Sequence, residues 1–327
     1  MRGAINEDVA KKDRPEALAF LEQSEDFFRA ATAGVSANPL LLYYAFMNLG
    51  KALIRARGYA GSLDQAMHGL SARTTPGGTE LRDSSVDVKD SGPSLNVFPE
   101  LIERLGYVRP IHNANFPVTE LLPQIVIGHR IWRESSAGRH ERFMDLKTIE
   151  FVDDRPGKQL WLRIFLDGRD LNRYSITRKR LASEGDLATS FREVAAPIGY
   201  DSSMVCLEQT VPTIYTDRPT DVITNIVEDV RPLFWRIVSS LPGGGYRRYY
   251  VHLTPPGETR IPQIASLWAL FFYFGSVVRY RPHLFDQLLD AEDGAFVSEF
   301  ISSQGEQLLY MLASELCRRE IARPAIV

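Results

Sequence analysis

The sequence predicts an α+β fold, a mainly helical core formed by N- and C-terminal helices with an inserted β-containing segment. Apolar residues recur at helical spacing over 14–57 and again from 261 to about 321. From about 143 they alternate with polar residues instead, which is the pattern of half-buried strands. We therefore divide the chain into 1–142, 143–256 and 257–327.

The N-terminal part begins with a predicted helix at 14–33. A second helix follows Asn38, an N-cap residue, and Pro39, and it ends before Gly58. It is apolar almost all round, so we expect it to be central and Phe46 to be buried. Residues 71–95 are rich in Ser, Thr, Gly, Pro and Asp, and predict a long surface loop that proteases cut first. Short helices are predicted at 97–106 and 118–134.

The middle part opens with FMDLKTIEFV and KQLWLRIFL, two alternating runs joined by DDRPG, which predict a β-hairpin. Further strands are predicted at 203–215 and 246–253, with helices at 170–182 and 219–238 between them. The glycine-rich LPGGGYRRYY at 241–250 lacks a following Lys-Ser or Lys-Thr, and we interpret it as a turn into a strand.

The C-terminal part predicts helices at 261–280 and about 284–321, separated by Pro282, which disfavours helix at the residue before it. The apolar run at 267–278 is shorter than the ~20 residues that a membrane span needs, so we expect a core helix and no membrane partner. The N-terminus has no apolar signal segment, and the two cysteines have no redox spacing. We therefore expect a cytoplasmic protein.

Charge and motifs exclude several functions. The net charge of −3 argues against a protein that coats nucleic acid by charge alone, although a local basic patch remains compatible with it. Histidines and cysteines show no metal-ligand spacing, and no GxSxG elbow is present. We expect no metal site and no cofactor.

The stretch VVRYRPHLF contains the first candidate catalytic pair, Arg279 and His283. A histidine titrates near neutrality and can take a proton from a ribose 2′-hydroxyl, while an arginine stabilises charge on phosphate. The alternative is structural, with Arg279 closing its helix and pairing with Asp286. A second candidate pair, Arg133 and His140, has six residues between its members.

Two further groups are candidate binding residues. The segment RDLNRYSITRKR has arginines for phosphates and a tyrosine for base stacking, or else it is a solvated helix face; its candidates are Arg169, Arg173, Tyr174, Arg178, Lys179 and Arg180. Tyr44, Asn48 and Lys51 share a helix face, and with His68 they form either the polar wall of a site or, for the helix residues, a buried hydrogen-bond set with a snorkelling lysine.

Four segments stand out at the two ends of the chain: ANPLLLYYAFMNLGKALIRARGY at 37–59, MHGLS at 67–71, FYFGSVVRYRPHLFDQLL at 272–289 and QLLYMLASELCRRE at 307–320. Together they resemble the YaaC-like proteins. This resemblance implies a fold more than an activity.

The helix at 37–59 also resembles HEPN helical domains, many of which are metal-independent ribonucleases of toxin and antiphage systems. Their active site is an Arg followed by a His after four to six residues, usually doubled across a dimer. Arg279 and His283 have three residues between them, one fewer than that pattern.

The leading hypothesis is a component of a bacterial RNA-targeting toxin or antiphage system, either a metal-independent endoribonuclease or a degenerate partner subunit. Its expected partners are RNA and a second copy or a partner protein. Two alternatives are a non-catalytic protein-interaction module and a nucleotide-binding sensor in the inserted segment.

Overall fold

The computed structural model describes residues 1–33, 38–75, 78, 80–89, 94–106, 113–134, 139–183, 185–220, 222–223, 238–242, 247–254, 258, 260–291 and 294–319. The fold is α+β, as the sequence predicts. The chain divides into two compact units. The helical unit comprises Met1–Ile131, Pro242–Tyr246 and Ile261–Val327, and the sheet unit comprises Trp132–Leu241 and Arg247–Arg260.

Twelve α-helices lie in the described residues: α1 Arg2–Asp8, α2 Arg14–Ala33, α3 Asn38–Ala56, α4 Val97–Arg104, α5 Val118–Leu121, α6 Val126–Glu134, α7 Gly168–Arg173, α8 Arg178–Ala182, α9 Gly185–Ser190, α10 Gln263–Tyr280, α11 Pro282–Asp290 and α12 Gly294–Cys317. The strands are β1 Leu70–Thr74, β2 Ser84–Val88, β3 Asn115–Pro117, β4 Phe143–Asp154, β5 Gln159–Asp167, β6 Phe191–Val194, β7 Met204–Gln209, β8 Thr213–Ile214, β9 Val238–Pro242 and β10 Arg247–His252.

Helix α3 is the centre of the helical unit, as its all-round apolar sequence predicts. It packs against α2, α4, α10 and α12. Phe46 is fully buried and meets Phe271 of α10 edge to face, with ring centroids 5.1 Å apart. Gly50 lies directly against the Trp268 indole, where a Cβ atom would collide with the ring. The small residue therefore allows α3 and α10 to approach closely.

The prediction of a long loop at 71–95 is wrong for much of its length. Strand β1 pairs antiparallel with β2, in register from Leu70 opposite Val88 to Thr74 opposite Ser84, and β2 pairs with β3. Val86 and Val88 are buried. The Ser- and Thr-rich composition concealed these strands because short strands need few large apolar residues, and packing overrides weak β-propensity.

The sheet unit contains a seven-stranded sheet in the order β6-β7-β5-β4-β10-β9, with β8 pairing with β5. The predicted hairpin is confirmed, since β4 pairs antiparallel with β5 from Leu146 opposite Leu166 to Asp154 opposite Gln159. One face of β5 contributes Leu160, Leu162, Ile164 and Leu166 to an apolar core.

Several element boundaries differ from the prediction. The helix predicted at 170–182 is two helices, α7 and α8, because Ser175 between them has a positive φ of 55°. The strand predicted at 203–215 is divided into β7 and β8 by a turn. Most of the helix predicted at 219–238 and the glycines at 243–245 lie outside the described residues. The helix break at Pro282 is confirmed, because α10 ends at Tyr280 and α11 begins at Pro282.

Candidate active site

A cavity of about 370 Å³ lies within the helical unit, between α3, β1 and α10. Its lining residues come from three distant parts of the sequence and include Tyr43, Tyr44, His68, Arg279, Tyr280 and Arg281. The volume falls in the range of small-molecule sites, and polar side chains converge on an aromatic interior. This is the pattern expected of a binding or active site.

Arg279 lies at the last turn of α10 and reaches across to α3. Its Nη1 donates a 2.7 Å hydrogen bond to the Tyr44 hydroxyl. Tyr44 is held in turn by Phe27, whose ring stacks on it at 5.5 Å. In the described part of the chain, Arg279 has no carboxylate partner, and the ion pair with Asp286 considered above does not form. No carboxylate of the described residues therefore competes with an anionic ligand for this guanidinium.

His68 supplies the imidazole of the cavity. Its Nδ1 lies 2.7 Å from the Tyr43 hydroxyl, and the Tyr43 hydroxyl also reaches Met47 Sδ at 3.9 Å. Burial raises the pKa of Tyr43 far above its usual value, so Tyr43 stays protonated. The tautomer of His68 decides the direction of this bond: either Tyr43 donates to Nδ1, or Nδ1–H donates to Tyr43 while Tyr43 donates to Met47. The second tautomer leaves the Nε2 lone pair available as a base.

The backbone around His68 is fixed from both sides. Met67 N–H donates to the Leu95 carbonyl at 2.7 Å, and Phe98 N–H donates to the His68 carbonyl at 3.2 Å. Gly69 has a φ of +77°, and a Cβ atom there would lie 2.6 Å from Pro99 Cδ. Only glycine fits this left-handed position, which turns the chain into β1 and leaves His68 at the cavity.

The charges near His68 favour its neutral form. Burial lowers the pKa of His68 first, and the positive charges of Arg279 and Lys51 lower it further. Lys51 itself is half-buried, with its ammonium 5.0 Å from the centre of the Phe20 ring, and burial lowers its pKa while Glu16 raises it. A neutral imidazole beside a guanidinium can accept a proton while the arginine binds an anion.

The structure divides the predicted polar wall. Tyr44 and His68 line the cavity, whereas Asn48 and Lys51 do not. Asn48 is buried and its side chain donates to the Tyr44 carbonyl at 3.0 Å, so it supports the helix instead. Lys51 acts on the site only through its charge.

The structure places Arg279 at the cavity but not His283, its predicted catalytic partner. His283 is exposed on the first turn of α11 and does not line the cavity. The reason is Pro282, which ends α10 and starts a new helix axis between the two residues. The histidine that joins Arg279 is His68, which the sequence indicated as a wall residue but not as the partner of the arginine.

The second pair, Arg133 and His140, does not form a described site either. Arg133 Nη1 makes an ion pair with Glu141 Oε2 at 2.6 Å, and His140 is exposed. The segment 135–138 between them lies outside the described residues.

Two arginines of the basic segment of the sheet unit form ion pairs. Arg169 pairs with Asp167 at 2.9 Å, and Arg178 pairs with Glu193. The Tyr174 ring is half-buried against the apolar core, with the guanidinium of Arg173 5.6 Å away. Arg173 and Lys179 are exposed and Arg180 is half-buried, and the nucleic-acid contact of this segment stays a prediction.

The described residues contain no group of three or more His, Cys, Asp or Glu side chains arranged to hold a metal ion. Among them there is also no helix with the length and apolarity to cross a membrane.

Comparison with known protein families gives a match over most of the chain. The family described as YaaC-like Protein matches residues 3–316, which is nearly the whole chain and includes every residue of the cavity. No curated protein and no solved structure matches the sequence. The chain belongs to the YaaC-like family.

Proposed function

We propose that the cavity is the active site of a metal-independent endoribonuclease that works in the cytoplasm, in a bacterial RNA-targeting toxin or antiphage assembly. The observation that carries this proposal is the convergence of Arg279 and His68 on one cavity. The resemblance of α3 to HEPN helices agrees with the same chemistry, although the histidine here comes from a different part of the chain.

The proposed reaction is an internal transesterification. In the tautomer with its hydrogen on Nδ1, His68 takes the proton of a ribose 2′-hydroxyl at Nε2, and the oxygen attacks the adjacent phosphorus. The bond from phosphorus to the 5′-oxygen breaks, and the leaving oxygen takes a proton from a water molecule. The proton held by His68 then neutralises the hydroxide, which returns the histidine to its neutral form. The products are a 2′,3′-cyclic phosphate and a 5′-hydroxyl. This step consumes no oxidant, reductant or nucleotide.

Arg279 has the second role in this reaction. Negative charge accumulates on the non-bridging phosphate oxygens as the 2′-oxygen attacks, and a fixed cation that is already in position stabilises it. The hydrogen bond from Arg279 to Tyr44 supplies that orientation. The neutral state of His68 is favoured by the same arginine, so one guanidinium serves both the base and the phosphate.

The test is incubation of the purified protein with a labelled RNA and with total RNA, alone and with the products of neighbouring genes, in the presence of EDTA. We expect cleavage that EDTA does not abolish and fragments that end in a 2′,3′-cyclic phosphate. New 3′-hydroxyl ends at the cleavage site would contradict the mechanism. RNA that is bound but stays intact would indicate the degenerate partner subunit instead.

A further inference from the structure

We propose that this site acts on single-stranded RNA, and that Tyr280 at the cavity mouth is a stacking platform for one unpaired base. This inference rests on the proposed function, because it names the substrate class of the same cavity. It rests on three neighbouring side chains, Arg279, Tyr280 and Arg281.

Tyr280 combines a position at the cavity with access to solvent. It lines the cavity, yet 68% of its surface is exposed. The guanidinium carbon of Arg279 lies 4.9 Å from the centre of the Tyr280 ring. The cation lies over one face of the ring and holds its orientation, and the exposed remainder of the side chain is open to a planar ligand.

Backbone hydrogen bonds fix the corner that carries these residues. Arg281 has φ −144° and ψ 58°, and its N–H donates to the Val277 carbonyl at 2.8 Å. The Arg281 carbonyl accepts from Leu284 N–H at 2.9 Å, which starts α11. The corner is therefore formed before any ligand binds, and a base that stacks on Tyr280 meets an ordered surface.

The charges at the mouth suit a flexible nucleic-acid backbone. Neither Arg279 nor Arg281 forms an ion pair with a carboxylate in the part of the chain that the structure describes. By contrast, Arg169 and Arg178 of the sheet unit each pair with a carboxylate. Two arginines without carboxylate partners can bind two phosphates on either side of the platform residue.

The preference for single-stranded RNA follows from the geometry of base stacking on Tyr280. A base in a duplex is paired and stacked on both faces, so a tyrosine on the protein surface cannot stack on it. An unpaired base presents its face freely, and aromatic stacking tolerates any base type. We therefore expect preference for single strands with little sequence preference.

The experiment measures binding of fluorescein-labelled 12-nucleotide DNA by anisotropy, as a single strand and as a duplex of the same sequence. DNA lacks the 2′-hydroxyl nucleophile, so binding is measured without cleavage. We expect the single strand to bind on the order of tenfold more tightly than the duplex, and Tyr280→Ala to remove about tenfold of that affinity. Tyr280→Phe should retain the affinity, because the ring is kept. Phe151→Ala, which removes an exposed ring of the sheet unit, is the matched control.

Equal affinity for both strand states, or a Tyr280→Ala protein that binds as the wild type does, would overturn the inference. In that case, RNA cleavage by the wild type would still support the proposed nuclease activity. Single-strand binding that depends on Tyr280 but comes without RNA cleavage would support the inference and refute the catalytic proposal. A wild-type protein that binds neither strand and cuts no RNA would overturn both.

Discussion

Arg279 and His68 each hydrogen bond to one of two adjacent tyrosines of the central helix α3. Arg279 donates to Tyr44, and His68 contacts Tyr43. Helix α3 therefore sets the positions of a cation and an imidazole that come from opposite ends of the chain.

Replacing Tyr44 with Phe should lower RNA cleavage on the order of tenfold while leaving the melting temperature nearly unchanged. The substitution removes only the hydroxyl that orients the Arg279 guanidinium, a hydrogen bond to a charged group. The measurement is single-turnover cleavage beside thermal melting. Tyr310→Phe, at a half-buried tyrosine of α12, is the control and should retain full activity. Equal rates for both variants would show that Arg279 does not need Tyr44.

The pH dependence of cleavage should respond to Lys51. The Lys51 charge lowers the pKa of His68, so Lys51→Gln should raise that pKa. The base form of His68 is then lost at a higher pH, and the acidic limb of the rate profile should move to higher pH. Lys89→Gln removes the same charge at an exposed position and should leave the limb in place. A shift to lower pH would refute the assignment of His68 as the base.

Gly69→Ala should impair both stability and cleavage. Alanine at φ +77° is strained by ~1–2 kcal/mol, and its Cβ would also collide with Pro99 and Asn96 beside His68. Gly58→Ala is a matched control, because Gly58 has φ +83° but no atom within 4 Å of a Cβ position. Denaturant unfolding should show the larger loss for Gly69→Ala, and only that variant should lose activity. Equal losses would show that the contacts of Gly69 do not matter.

Phe46→Ala should lower the free energy of unfolding by ~3–5 kcal/mol, because the ring is fully buried between α3 and α10. Phe151→Ala should cost much less, since that side chain is 46% exposed. Chemical denaturation of both proteins measures the difference. A loss below ~1 kcal/mol at Phe46 would contradict the central position of α3.

Sequence patterns predicted the parts of the fold that depend on local periodicity. The burial of Phe46, the β4–β5 hairpin and the break at Pro282 follow from apolar spacing and from proline chemistry. Strands β1 and β2 were missed because their stability comes from pairing and from packing on neighbouring helices. No local pattern records such contacts.

The site was predictable only in part, for the same reason. Tyr44, His68 and Arg279 were all candidates, but the sequence grouped Arg279 with its neighbour His283. Tertiary packing of α3, β1 and α10 brings His68 to the arginine instead. The available signal was MHGLS, where a glycine with positive φ directly follows the histidine and marks a fixed turn.

The most direct test of the account compares His68→Asn with His283→Ala in the RNA cleavage assay with EDTA. Asn keeps a polar side chain in the cavity but removes the base, so His68→Asn should lose roughly 10²–10⁴-fold in rate with little change in melting temperature. His283→Ala should cleave as the wild type does, because His283 is exposed and outside the cavity. Full activity in His68→Asn, or loss of activity in His283→Ala, would contradict the assignment of His68 as the catalytic base.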